Sequence, residues 1–142
     1  MNKFFSPLPV WQSQGLAIVR IIIGVFLIYH GAEIFDPSKM NEYLKWDIFK
    51  TPSATFRVYL GKGAEFVAGI LLFTGFLTRL ASLIVIATFL YISLFIGHGK
   101  IWYEDQHPFL FTLFGLVFFF TGPGKWSVDN LLFDKTKTQN NL

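Results

Sequence analysis

Two pairs of titratable residues stand three positions apart, His30 with Glu33 and Lys62 with Glu65. On a helix each pair shares a face, so each can work as a unit. His98, Asp105 and His107 follow further along the chain, with Trp102 and Tyr103 between them. A carboxylate beside a histidine or an ammonium can carry a proton and orient a hydrogen-bonding ligand. Glu65 and His30 are the candidate proton carriers. Arg20, His30, Glu33, Lys62, Glu65, His98, Trp102, Tyr103, Asp105 and His107 form the candidate ligand-binding set. No cysteine is present, which removes thiol nucleophiles, thiolate metal sites and C-x-x-C redox pairs. No two histidines are four apart within one segment, so the expected metal set is none.

The elements that must position these groups are apolar. Of 142 residues 53% are hydrophobic and only 15% charged, against roughly 25% in an ordinary soluble domain. Eighteen residues are Phe and the mean hydropathy is +0.49. So few charges cannot coat a soluble domain of this size. A formal charge of +3, spread thinly, offers no nucleic-acid surface.

Four stretches of membrane length predict helical spans at about 16–33, 56–76, 78–98 and 107–121, since four strands cannot close a barrel in lipid. Pro7, Pro9 and Arg20 argue against a cleaved signal peptide. Between the first two spans, Asp36-Pro37 reads as a helix cap followed by a first-turn proline. Met40, Tyr43 and Leu44 then recur at helical spacing, which predicts a short amphipathic interfacial helix. The expected architecture is an all-α, single-domain membrane four-helix bundle, with a disordered tail over about 135–142. Lys and Arg divide equally between the two sides, and net charge favours both termini on the cytoplasmic side.

A charge at a helix centre costs roughly 2.5–3.5 kcal/mol on insertion scales, so the depth of these residues matters. Every span delivers a titratable group to one membrane face. On span two, Glu65, Gly69 and Leu72 form a stripe with Gly61 one turn earlier, and small neighbours turn the carboxylate toward the interior. The expected partner of Glu65 is His30 or Arg20. Such a set could bind a quinone headgroup. Alternatively, Glu65 could serve a small dimeric proton-coupled transporter, or the ion pairs could belong to a structural or assembly subunit without ligand. The expected partners are the lipid bilayer, and either a second copy or a larger membrane complex.

The chain resembles the DoxX family from about Leu16 to Phe133. The resemblance rests on Arg20, Gly24, Tyr29, His30 and Gly31, on GKGAEFVAGILLFTGFLTRLAS from Gly61 to Ser82, and on TGPGKWSVD from Thr121 to Asp129. It implies a four-helix protein of the bacterial inner membrane. Name-giving members are associated with a thiosulfate:quinone oxidoreductase, and others with membrane oxidoreductase complexes. The implied role is a quinone-interacting or small-metabolite-binding subunit of a membrane oxidoreductase, with no catalysis through cysteine.

Overall fold

In the computed structural model residues 8–133 are described, and among them every regular element is helical. The order is α1 (Gln12–Gly31), α2 (Pro37–Leu44), α3 (Ala54–Thr74), α4 (Thr78–Tyr91), α5 (Gln106–Thr121) and α6 (Val128–Phe133). Short 3₁₀ turns cover Ala32–Phe35 and Asp47–Phe49, and α4 runs on through a π-helical turn at Ile92–Ile96. The tail expected from residue 135 lies outside the described residues.

Helix α1 packs along α3, α3 along α4, and α4 along α5. Their shared core is Ile23, Leu27, Ala68, Leu72, Ala81, Val85, Phe89 and Phe118. The α1–α3 approach is close because glycines face backbone. A Cβ at Gly24 would lie 2.6 Å from the Phe73 nitrogen, and one at Gly69 2.6 Å from that of Ile28. Helices α3 and α4 form a hairpin through Gly75 (φ 66°) and Leu77 (φ 47°). The left-handed Leu77 is held by Asp129, whose carboxylate accepts from the amides of Leu77 at 2.7 Å and Thr78 at 2.9 Å.

Two segments, Gln12–Phe35 and Thr78–Ile96, are long and apolar enough to cross a membrane, and Gln106–Thr121 is a shorter apolar helix. Length and apolarity alone therefore mark two of the four expected spans. Helix α3 is as long, but it carries Arg57, Lys62 and Glu65.

The segment after α1 folds back over the helices. Asp36 caps α2, accepting from the Ser38 amide at 2.9 Å and its hydroxyl at 2.8 Å. Met40 and Phe49 bury against Ala54 and Val58, with Tyr43, Leu44, Ile34 and Ile96 packed around them. The hydrogen bonds from Ser38 and Lys39 hold the Asp36 carboxyl below the usual carboxylate range. Because the folded group ionises more readily than the unfolded one, the cap contributes fully above the ordinary Asp range. It is lost as pH falls through the lower folded value. Asp36→Ala is expected to leave global folding intact and to speed amide exchange at residues 38–40 several-fold. Unchanged exchange there would mean that tertiary packing alone holds α2.

Candidate functional site

Three buried or half-buried charges converge where α1, α2 and α3 meet. The Lys62 ammonium lies 2.8 Å from Glu33 Oε2 and 3.2 Å from Glu65 Oε2, with side-chain exposures of 13%, 23% and 6% in that order. It also donates to the His30 carbonyl at 3.4 Å. Tyr43 of α2 donates its hydroxyl to the same Glu33 oxygen at 2.5 Å, and its ring stands 4.8 Å from the ammonium. Burial, then the hydrogen bond to Glu33, raises the Tyr43 phenol above its ordinary value, so it stays a donor. A single lysine thus bridges α1 and α3 and receives the α2 tyrosine.

Beside this network a cavity of about 370 Å³ opens between α3 and α4. Lys62, Glu65 and Gly61 line α3's side, Ala87, Thr88, Tyr91, Ile92 and Ile96 line α4's, and Tyr43, Trp46 and Phe49 form the roof. The wall is almost wholly apolar. Its position follows from the hairpin: the helices meet at residues 75–77 and the cavity occupies the wedge toward their far ends, where α4 passes into its π turn. The Gly97 amide closes that turn on Ile92 O at 2.7 Å. Single π turns are frequent at functional sites. At the outer end Arg57 straps the roof to α4. Its guanidinium donates to Thr51 Oγ1 at 2.5 Å, to Ile48 O at 3.3 Å and to the Tyr91 hydroxyl at 3.5 Å.

The candidate set divides. Glu33, Lys62 and Glu65 come together as expected. The expected bonds from Glu65 to His30 or Arg20 do not form: Glu65 pairs with Lys62, its neighbour one turn away. The His30 side chain is exposed, edge-on to Tyr29 at 5.6 Å, and only its backbone carbonyl joins the network. Arg20 lies ten residues earlier on α1, about 15 Å along the axis, and is fully buried at the opposite end. There it donates to the carbonyls of Leu72, Phe73 at 3.0 Å, Pro123 at 2.8 Å and Trp126 at 2.8 Å. It is a structural tie between the α3 C-terminus and the chain after α5, outside the ligand set. Its guanidinium fits because Gly75 has no Cβ, which would lie 2.6 Å from Arg20 Nη1.

The remaining candidates line no part of the cavity. Asp105 is buried and organises its own loop, accepting from the amides of His98 at 3.0 Å and Lys100 at 2.8 Å. His98 is exposed, 3.8 Å from Glu104, and His107 is exposed on the first turn of α5. Trp102 and Tyr103 are 86% and 80% exposed, so they are surface aromatics rather than a lid. The roof and Arg57 were missed as site residues. The signal existed: Arg57, Gly61 and Glu65 repeat at four-residue intervals on one face of α3.

The family model for DoxX matches residues 15–99, α1 through the end of α4. The chain belongs to the DoxX family. The match contains Glu33, Lys62, Glu65, the roof and the α3–α4 cleft, and it ends before Trp102, Asp105 and His107 and before the closing TGPGKWSVD. No curated protein and no solved structure matches the DoxX chain significantly. Family membership and the long apolar helices together mark it as a membrane protein.

Proposed function

We propose that this DoxX chain crosses the bacterial inner membrane four times, both termini cytoplasmic, and binds a lipid-soluble, quinone-like ring in the α3–α4 cleft as a subunit of a membrane oxidoreductase. Support for the spans comes from the exposed apolar girdle: Ile22, Phe26, Val67, Ile70, Leu83, Leu113 and Phe120 all face outward. A soluble protein rarely exposes so continuous an apolar surface. At 16 residues, α5 is about 24 Å long and suits a locally thinned bilayer.

The observation that carries the ligand reading is an apolar cavity with an aromatic roof that ends on a lysine–carboxylate pair. A flat ring fits beneath Tyr43, Trp46 and Phe49. Lys62 donates to a ring oxygen, and Glu65 takes or returns the proton that accompanies electron transfer with a redox partner. A second reading is a structural subunit without ligand, and one observation favours it: Lys62 is already paired with two carboxylates.

Glu65→Gln separates the two readings. Because Glu33 remains 2.8 Å from Lys62, the change leaves no unpaired cation, and stability in detergent should fall by only about 1 kcal/mol. Quinone retained through native purification, measured by mass spectrometry of the extracted lipid, should fall about tenfold, the equivalent of one charge-assisted hydrogen bond. Equal retention by the variant, or no quinone with the wild-type protein, would leave the structural reading standing.

A further inference from the structure

The cleft has two conceivable entrances, one past the roof and one from the side. The first is strapped shut: Arg57 ties Ile48 and Thr51 to Tyr91 of α4, and Tyr43 is bonded to Glu33 beneath. The side between α3 and α4 is built of small residues. Gly61 and Ala64 face Ala87 and Thr88 across the wedge, and all four line the cavity. A Cβ placed on Gly61 would meet no atom within 4 Å. Leu60 and Tyr91, on either side of this seam, are 58% and 40% exposed. On the spanning reading that exposure faces lipid, not water.

The geometry points to a lateral portal: the ligand enters and leaves the cleft directly from the bilayer between α3 and α4, its ring under the aromatic roof and an isoprenoid or alkyl tail passing over Gly61 into the lipid. This rests on the cleft being a ligand site. The occupant is a neutral ring with an apolar tail. Lys62 is paired with both Glu33 and Glu65, and the terminal nitrogens of Arg57 are committed to Ile48, Thr51 and Tyr91, so neither cation calls for an anionic headgroup. The cavity wall is almost wholly apolar, and such walls complement a hydrocarbon tail. Gly61 is then small because the tail crosses it. In the middle of a helix glycine is otherwise a poor choice, and alanine would fit the empty space.

The test uses the full chain in phosphatidylcholine nanodiscs, with a prenylated benzoquinone and the same ring without its tail as probes, read by quenching of tryptophan fluorescence. The wild-type protein should bind the tailed ring at least about tenfold more tightly than the bare ring. Gly61→Leu should weaken binding of the tailed ring by about tenfold or more while melting no lower than wild type. Gly63→Ala, one turn-face away and outside the cavity lining, should bind as wild type. Ala87→Phe, on the exposed side of the seam, should slow association and release of the tailed ring together. Wild-type binding with unchanged rates in Ala87→Phe and unchanged affinity in Gly61→Leu would overturn the portal and leave the ligand site intact. Failure of the wild-type protein to bind either probe, or retention of a phospholipid that the quinone does not displace, would overturn both.

Discussion

Replacing Arg20 by Leu should lower stability by about 3–5 kcal/mol, one of the two large losses we expect from a single side chain. Arg20 is fully buried, and its donors are spent on four carbonyls of Leu72, Phe73, Pro123 and Trp126. Leucine matches the stem but leaves the carbonyls of Phe73, Pro123 and Trp126 without this donor, while Leu72 keeps the Gly75 amide at 3.1 Å. Each buried unsatisfied group costs about 1–3 kcal/mol, and two or three of them give the figure above. Arg20→Lys should recover only part of the loss, because one ammonium cannot span the reach of a planar guanidinium. Thermal melting in detergent would decide the matter. A leucine variant as stable as wild type would show that water or lipid headgroups already satisfy those carbonyls.

The second large effect is expected at Lys62. Lys62→Met removes the cation shared by Glu33 and Glu65 and leaves two carboxylates beside each other in a half-buried site. Breaking a buried ion pair from one side costs about 3–5 kcal/mol. Adding Glu65→Gln to Lys62→Met should restore most of the loss, since it removes the repulsion. Glu65→Gln alone should be mild for the reason given by Glu33. A double variant no more stable than Lys62→Met would refute this division of labour.

The helices, the capped segment at Asp36 and the Lys62–Glu65 pair were legible because each is local. Helical periodicity, a cap and an i,i+3 spacing are set within a few residues of one another. Arg20 misled for the opposite reason. Its sequence neighbourhood reveals a buried cation but not its partners, which are backbone carbonyls 52 to 106 positions away. Backbone acceptors leave no trace in side-chain identity, so the spacing of charged residues points to Glu65 instead. Asp105 hides in the same way: a carboxylate that organises its own loop has the composition of a ligand-binding one. The roof was visible as an amphipathic helix, but its function depends on the splay between α3 and α4. The cavity lies beyond the hairpin turn and beside the π turn, and neither turn is written in the spacing of apolar residues.

The tie at Arg20 also bears on how the chain is made. The guanidinium is carried by the middle of the first long helix, whereas two of its acceptors, Pro123 and Trp126, follow the last long one. More than a hundred residues must be synthesised before that set of bonds can be completed. On the spanning reading, the insertion machinery handles α1 with a charge whose final partners do not yet exist, satisfied at most by the end of α3. The closing loop is then the part that locks the assembled helices, and quality control that senses an exposed intramembrane charge would act on any chain halted before Pro123.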